Sequence, residues 1–286
     1  MKISGFTAAE LEKFKEYQRA SYAVLEAVAR DLREGETEKD VTRRIRKRFH
    51  EQGVHHYFHV PVALFGTRTA YPGTFGQLEA LPTDRRLERG MPVILDAAPV
   101  YFGYTVDTSL AVPFGENQKQ RMLTRALKPL RDLILLRARE RASFRAIARE
   151  VDDEIRKLGY ENCHKKHIAF VLGHRVTQVA DTWLSRRRIW GLGVPQAAFF
   201  IGKTFGAQQF GGTGSPNWNH TRSSDHPPTP GLWAVEPHVG QDGVGAKFEE
   251  ILVITETDAF WLDEGGLPHH RAWEMGDRPP FPARAA

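Results

Sequence analysis

An Asp-Gly dipeptide separates two apolar runs near the C-terminal end of the chain. Asp242-Gly243 lies within residues 233–255, which are rich in apolar and β-branched side chains. Such a dipeptide between two runs of this kind is one of the strongest local signals for a two-residue β-hairpin turn. In that register Glu236 faces Glu249, whereas Glu250 points to the opposite face of the strand. Because directly opposed like charges repel, the pairing predicts a cation between Glu236 and Glu249.

A second pair of apolar runs, over residues 93–112, carries two aspartates. Its turn is predicted near Tyr101, Phe102 and Gly103, and a hairpin centred between Tyr101 and Phe102 places Asp96 opposite Asp107. Four carboxylates in two such pairs are suited to hold two divalent metal ions about 3.5 to 4 Å apart. The alternative is that each acid is an ordinary strand-end or ion-paired residue, but two pairs in one chain favour the metal site.

Five residues in chain order resemble a known signature. Asp96, Asp107, Gly173-His174, Val235-Glu236-Pro237 and Phe248-Glu249 are similar in order and spacing to the five metal ligands of the methionine aminopeptidase, prolidase and creatinase superfamily, peptidase family M24. The resemblance spans residues 1 to about 260. It implies the pita-bread fold, an α+β architecture with two pseudo-twofold-related halves.

The resemblance also implies a cofactor and a set of ligands. Asp96, Asp107, His174, Glu236 and Glu249 would bind two divalent metal ions, with Asp107 and Glu249 bridging both. Oxygen-rich sites with one imidazole suit Mn, Co, Fe and Zn, of which manganese is one expectation. Two such ions would lower the pKa of a shared water towards about 7, and the bridging hydroxide would attack a peptide carbonyl.

The chain departs from the family at two histidine positions. Relatives have Gly-His-Gly-Ile-Gly followed by a second histidine, whereas residues 173–177 read Gly-His-Arg-Val-Thr and the later position is Asp181. The family's Pro-His in the first half is Pro72-Gly73 here. The proton partners expected in a peptidase are therefore replaced at both positions.

Three other histidines are candidate catalytic residues. His226 precedes two prolines and has some likeness to the His-Glu-Pro-Pro run of prolidases, while His220 lies nearby in the same segment. His238 follows Glu236 by two residues and therefore shares its strand face. Each histidine is also compatible with an ordinary solvated loop or strand-end position.

Helix and strand signals repeat in two halves of the chain. In the first, a capping box at residues 7–10 opens a helix to about Arg33, a second helix follows Thr37, and residues 57–65 read as a strand. In the second, helices are predicted over residues 117–139 and from Ser143 to Gly159, followed by a strand over residues 167–172. This duplication predicts an α+β fold with antiparallel sheets inside and helices outside.

The predicted domain organisation is simple. A single catalytic domain covers residues 1–268, with an insertion at about 182–230 that either shapes a substrate pocket or forms a surface loop. Residues 269–286 are predicted to be a C-terminal tail, because prolines cluster at positions 279–282.

Composition narrows the class of protein. The single cysteine, Cys163, excludes an internal disulfide framework and fits a reducing cytoplasm. No stretch of about 18 apolar residues occurs, so no membrane span is expected, and we predict a cytoplasmic location. The formal net charge of +5 raises the question of nucleic acid as a partner. The basic runs at residues 43–48 and 186–188 are not interleaved with aromatics, so nucleic-acid binding is not favoured.

Three functions follow from these features. The first is a dinuclear metal-dependent hydrolase, an aminopeptidase of Xaa-Pro type that acts on short peptides. The second is C-N hydrolysis of a small, non-peptide molecule on the same metal site, which the replaced histidines favour. The third is a catalytically weakened binding protein that uses its basic runs. Monomer and homodimer are both open.

Overall fold

The computed structural model describes residues 2–73, 79–167, 170–179, 187–189, 192–194, 198, 202–203 and 215–274. Asp181 and about half of the expected insertion at 182–230 lie outside these residues. The basic run at 186–188 is described only from Arg187 onward.

Five α-helices form in the described part of the chain, the first four where the sequence predicts helices and the fifth largely within the expected tail. The side chains of Thr7, Thr37, Asn117 and Ser143 accept hydrogen bonds from the backbone at the starts of the first four helices. Thr7 and Thr37 complete capping boxes, with Glu10 and Asp40 respectively. The helices are α1 (Ala8–Arg30), α2 (Glu38–Glu51), α3 (Gln118–Arg139), α4 (Phe144–Lys157) and α5 (Pro268–Glu274).

Short strands form the rest of the regular structure, together with 3-10 turns at Gly66–Ala70, Cys163–Lys166 and Arg222–Ser224. The strands are β1 (Lys2–Ile3), β2 (Phe6–Thr7), β3 (His56–Tyr57), β4 (Val62–Phe65), β5 (Pro92–Ala97), β6 (Pro99–Tyr101), β7 (Tyr104–Thr105), β8 (Thr108–Pro113), β9 (Glu161–Asn162), β10 (Gly173–Val176), β11 (Arg188–Ile189), β12 (Leu192–Gly193), β13 (Asn217–Trp218), β14 (Gly231–Val235), β15 (His238–Gln241), β16 (Val244–Lys247), β17 (Glu250–Ile254) and β18 (Ala259–Trp261).

The hairpin around Asp242-Gly243 has the predicted register. Strands β15 and β16 pair across this turn, and both turn residues have positive φ, 49° and 76°. That combination is the one a two-residue type I′ turn requires. The same register resumes where Val235 of β14 faces Glu250 of β17. Glu236 and Glu249 therefore fall at opposed positions in the break between the two paired segments.

The first hairpin differs from the prediction by one turn position. Its turn residues are Phe102 and Gly103, with φ of 48° and 92°, rather than Tyr101 and Phe102. Moving the centre by one residue shifts each partner by two, so Asp96 pairs with Ser109 and the predicted direct opposition to Asp107 is wrong. Because side chains alternate along a strand, Asp107 still lies on the same face as Asp96, at a diagonal position.

The strand expected over residues 167–172 is also displaced. The described residues before it form a 3-10 turn, and strand β10 begins at Gly173 instead. Residues 168–169 lie outside the described part of the chain. The consequence is that His174 lies on the strand itself, paired opposite Ala234 of β14.

Each half packs two helices against an antiparallel sheet, as the duplication predicts. In the first half α1 and α2 cover the sheet β4-β5-β8, with Phe14, Ile45 and Phe65 fully buried. In the second half α3 and α4 cover the sheet β13-β10-β14-β17-β18, whose core includes Trp218 and Trp233. The structure has the α+β pita-bread arrangement expected from the sequence.

Two contacts join the halves next to the predicted ligands. An isolated β-bridge pairs Leu110 of β8 with Phe248. The Tyr22 hydroxyl of α1 donates to the Glu249 carbonyl oxygen at 2.6 Å and lies 3.3 Å from that of Ser109. Helix α1 thereby fixes the strand that carries Glu249 against the first half.

The start of the expected tail is part of the packed structure. Helix α5 buries His269 and His270 against the domain, so packing continues through Glu274. Residues 275–286, which include the proline cluster, lie outside the described residues. Among the described helices, none combines the length and apolarity needed to cross a membrane.

Candidate metal centre

All five predicted ligands converge where the two halves meet. Asp96 is the next-to-last residue of β5, Asp107 precedes β8, His174 lies on β10, and Glu236 and Glu249 face each other beside the β15-β16 hairpin. Four of them are 1% to 6% exposed, and the Glu236 side chain is 15% exposed. This burial of four acids requires compensating positive charge, because an isolated buried carboxylate is unstable.

Lys247 supplies one of these charges. Its Nζ atom lies 3.0 Å from Oδ2 of Asp96 and 2.9 Å from Oε2 of Glu236, and it also contacts Glu249. The side chain is 3% exposed. Burial by itself would lower the pKa of Lys247, but the Asp96, Glu236 and Glu249 carboxylates raise it well above its ordinary value. Lys247 is therefore a permanent cation in the centre.

Two imidazoles flank Asp107, one at each carboxylate oxygen. Nε2 of His174 lies 3.0 Å from Oδ2, and Nε2 of His59 lies 3.3 Å from Oδ1. His59 also lies 3.3 Å from Oδ1 of Asp96. Burial opposes their charging, yet the Asp107 carboxylate raises the pKa of His59 to about 9 and raises that of His174 above its ordinary value. Against its own burial, the pKa of Asp107 is held well below the usual range by these two rings.

Glu249 is the carboxyl that the surroundings leave least compensated. Burial raises its pKa well above the usual range, and the charges of Asp107 and Asp96 raise it further. By contrast Lys247 and His174 lower the pKa of Glu236 despite burial. A carboxyl in the position of Glu249 takes up either a proton or a metal cation.

The residues present fit divalent metal ions. Oδ1 of Asp96 and Oε2 of Glu249 are buried without a hydrogen-bond partner among the described residues, so their lone pairs are available to a cation. Ligand atoms of His59, Asp96 and Asp107 lie within 4.8 Å of one another. Carboxylates with imidazole suit Mn, Fe, Co and Zn. The five predicted ligands are the residues that would hold such ions.

The chain brings His174 into place by a close backbone approach. A Cβ atom at Gly173 would lie 2.7 Å from the carbonyl oxygen of Ala234, so glycine is required for β10 to pair with β14 there. The Phe58 ring stacks on the His174 ring at 5.0 Å between centroids. These contacts orient the imidazole towards Asp107.

The three candidate catalytic histidines make other contacts in the described structure. Nε2 of His238 lies 2.7 Å from the carbonyl oxygen of Thr69, and burial together with Lys247 holds the pKa of His238 well below its usual range. It neighbours the centre but is directed at the backbone. The carbonyl oxygens of His220 and His226 accept from Arg145 and from the Phe144 amide, at the start of α4. None of these contacts reaches the carboxylates.

Glu250 belongs to a separate buried network on the opposite strand face, as the hairpin register predicts. Its Oε1 atom lies 2.7 Å from Nε2 of His269 and 3.0 Å from Nε2 of His270. Arg131 donates to both carboxylate oxygens at 2.7 and 2.8 Å. Although these side chains are close enough to chelate an ion, the guanidinium already satisfies the carboxylate and opposes a second cation. The network fastens α3 and α5 to β17.

Sequence reasoning missed two residues of the centre. Lys247 is two residues before Glu249 and therefore shares its strand face, a periodicity that was sufficient to find it. His59 carries no such signal. It reaches Asp96 only because β4, which follows it, pairs with β5, with Val62 opposite Asp96.

Comparisons with known proteins agree with this geometry. The chain matches the model of metallopeptidase family M24 over residues 12–256. An uncharacterized peptidase of Staphylococcus aureus is 28% identical over 111 residues, which are 39% of this chain and 30% of that protein.

Solved structures show the same fold at low identity. An X-Pro aminopeptidase from Thermotoga maritima is 19% identical with a TM-score of 0.60, over 91% of this chain and 62% of that one. A prolidase from Pyrococcus furiosus is 19% identical with a TM-score of 0.59, over 91% and 65%. A dipeptidase from Pyrococcus horikoshii is 16% identical with a TM-score of 0.65, over 91% and 61%. The chain thus spans about six-tenths of each of these structures. Given the family match over most of its length, the chain belongs to metallopeptidase family M24.

Proposed function

We propose that this protein is a metal-dependent aminopeptidase of Xaa-Pro type that removes the N-terminal residue from short peptides. Two divalent ions would be held by Asp96, Asp107, His174, Glu236 and Glu249. When bound there, the ions lower the pKa of water and polarise a carbonyl group. The protein's own residues determine where the ions and the substrate lie.

The observation that carries the proposal is the excess of buried acid at the junction of the two halves. Four carboxylates meet there, and two of their oxygens, on Asp96 and Glu249, lack hydrogen-bond partners among the described residues. A purely structural site would give each buried carboxylate oxygen a donor, because a buried polar atom without a hydrogen bond is destabilising. Such a cluster is consistent with a site built to bind cations.

The residues around the ligands have distinct parts in the proposal. Lys247 holds the carboxylates of Asp96 and Glu236 in place while adding a positive charge. Burial raises the pKa of Glu249 well above the usual range, so a metal ion bound there would compete with a proton for this carboxyl. Phe58 shields one face of His174 from water.

The substrate class rests on similarity. The solved structures that share the fold include an X-Pro aminopeptidase, a prolidase and a dipeptidase. These names support short peptides as substrates here. Because the identity is below 20%, the N-terminal residues that this protein removes must be determined by experiment.

One observation favours a different reaction on the same centre. Gly73 occupies the position of a family histidine, and no atom of the described residues lies within 4 Å of a Cβ at that position. Residue 73 therefore supplies no imidazole to the scissile bond. Loss of a general acid slows proton-dependent cleavage by about 10²- to 10⁴-fold. Hydrolysis of a C-N bond in a small, non-peptide molecule is therefore the second candidate.

A role in nucleic-acid binding has little support. In the basic run at residues 43–48, Arg43, Arg44 and Arg48 pair with Asp40, Glu36 and Asp31. Lys47 lies 3.9 Å from Glu51. These acids neutralise most of the run's field, and electrostatic binding to phosphates depends on that field.

The test is cleavage of a mixed library of short peptides, followed by mass spectrometry. The protein is loaded in turn with Mn, Co, Fe and Zn, and the library includes Xaa-Pro dipeptides and Met-initiated peptides. Loss of one N-terminal residue, with preference for Xaa-Pro, is the expected result. A protein that holds two metal ions yet leaves every peptide intact would contradict the peptidase proposal and favour the small-molecule reaction.

A matched pair of variants ties cleavage to the centre. Glu249→Ala removes a buried ligand and should abolish metal retention and reduce cleavage by at least about 10²-fold, since the bound ions supply most of the catalysis. Glu256→Ala removes an exposed acid seven positions further along the chain and should change neither. Unchanged turnover in Glu249→Ala would exclude the metal mechanism.

A further inference from the structure

His59 lies against the metal centre although it belongs to no family ligand position. Its Nε2 atom is 3.3 Å from Oδ1 of Asp96 and 3.3 Å from Oδ1 of Asp107. Oδ1 of Asp96 is buried and has no hydrogen-bond partner among the described residues. One nitrogen and two carboxylate oxygens thus surround a small common space, with all three ligand atoms within 4.8 Å of one another.

The orientation of the ring presents a lone pair to this space. Nδ1 of His59 lies 3.0 Å from the carbonyl oxygen of Val60. A carbonyl oxygen can only accept, so the neutral ring carries its hydrogen on Nδ1 and leaves Nε2 unprotonated. This is the arrangement typical of metal-binding histidines, in which the remote nitrogen donates to the backbone and fixes the tautomer.

His174 is arranged in the same way on the other side of Asp107. Its Nε2 atom lies 3.0 Å from Oδ2 of Asp107, and its Nδ1 atom is 3.4 Å from the carbonyl oxygen of Arg175. The two imidazoles therefore lie next to different oxygens of the Asp107 carboxylate. An unprotonated Nε2 beside carboxylate oxygens is unfavourable, so either a proton or a metal cation occupies the space between them.

We propose that His59 is a sixth ligand, binding through Nε2 the divalent ion that Asp96 and Asp107 hold. The inference rests on the proposed metal centre but concerns a residue outside its five predicted ligands. Each ion would then have one imidazole, His59 or His174. A nitrogen ligand on both ions shifts the preference from Mn towards Co and Zn, which bind imidazole more strongly.

The direct test counts coordinated histidines in the cobalt-loaded protein. In proton NMR of a Co(II) site, the exchangeable ring N–H of each bound histidine appears as a separate, strongly shifted resonance. Wild-type protein should show two such resonances. His59→Phe, which keeps an aromatic ring but removes both nitrogens, should show one. Calorimetric titration should show one of two metal sites weakened by at least about tenfold, the lower end of the effects seen when the surroundings of metal ligands are altered.

His55 provides the matched control. It lies four positions earlier, just before β3, is exposed, and makes an edge-to-face contact with His50 rather than with the centre. His55→Phe should keep both resonances and both affinities. His59→Gln serves as a second variant if His59→Phe does not fold, and the wild-type count needs no variant.

The outcomes separate this inference from the proposed function. One shifted resonance in wild-type protein, or two in His59→Phe, would overturn ligation by His59 and leave the five-ligand centre intact. If His59→Phe kept its metal affinity but lost cleavage, His59 would transfer protons rather than bind metal. That result would also overturn ligation by His59. No shifted resonance at all would remove the metal centre itself. Since no peptide is present, failure of the peptidase assay does not affect the count.

Discussion

Lys247 places a positive charge among three carboxylates that are also proposed metal ligands. Its Nζ atom contacts Asp96, Glu236 and Glu249, and the side chain is 3% exposed. The ammonium therefore stabilises the buried acids and at the same time opposes incoming cations. Lys247 should therefore increase the unfolding free energy of the protein and decrease its affinity for metal ions.

Lys247→Met tests this balance. Without the ammonium, the metal-free protein should lose about 3 to 5 kcal/mol of unfolding free energy, because buried carboxylates are left unpaired. Metal affinity should rise, since the ions no longer meet a fixed positive charge. Chemical denaturation and calorimetric titration measure the two effects. Lys128→Met, in an exposed pair with Asp132, should change neither by much, and weaker metal binding in Lys247→Met would contradict the account.

The individual residues of the centre differ in how far the sequence alone could predict them. Asp96, Asp107, His174, Glu236 and Glu249 could be named because their order and spacing repeat a signature, and the structure brings all five together. His59 could not, because its approach to Asp96 depends on the pairing of two strands distant in sequence. The contacts of His220 and His226 with α4 were equally invisible, since loop conformation follows from tertiary packing.

At the scale of elements, the two hairpins show why one register was predicted and the other was not. Asp242-Gly243 is a strong turn signal, and β15 and β16 pair accordingly. The first hairpin offers only aromatic residues and Gly103, and the turn places Phe102 at positive φ. Large aromatic residues rarely adopt that conformation, so the sequence favoured a centre one residue too early.

The close packing of β16 against Thr69 can be tested at Gly245. A Cβ atom there would lie 2.0 Å from the carbonyl oxygen of Thr69, and its amide donates to the Thr69 hydroxyl at 2.9 Å. Gly245→Ala should push β16 away, lower the unfolding free energy by about 1 to 3 kcal/mol, and weaken metal binding by moving Glu249. Gly265→Ala, where no atom lies within 4 Å of the new Cβ, is the control for denaturation and titration. Equal effects of the two substitutions would contradict the packing argument.

At the scale of the whole molecule, the Glu250 network ties the C-terminal helix to the sheet behind the metal centre. Burial alone would raise the pKa of Glu250, but His269, His270 and Arg131 lower it far below the usual range. A carboxyl with a lower pKa in the folded than in the unfolded state stabilises the protein above its unfolded pKa and loses this effect as the pH falls. Much of the acid sensitivity of the protein should come from this residue.

Glu250→Gln should therefore flatten the pH dependence of stability. Between about pH 5 and 3 the unfolding free energy of the wild-type protein should fall more steeply than that of the variant. At neutral pH the variant should be less stable by about 3 to 5 kcal/mol, because Arg131 loses its buried partner. Urea denaturation across this range measures both, with the exposed Glu256→Gln as the control. Parallel curves for wild type and Glu250→Gln would contradict the assignment.

We propose above all that the junction of the two halves holds a pair of divalent ions. The most direct measurement is an anomalous difference map at the manganese edge, from crystals of the manganese-loaded protein. The account predicts two peaks among Asp96, Asp107, His174, Glu236 and Glu249, separated by about 3.5 to 4 Å. Absence of any peak among these residues, or a peak only at Glu250, His269 and His270, would contradict it.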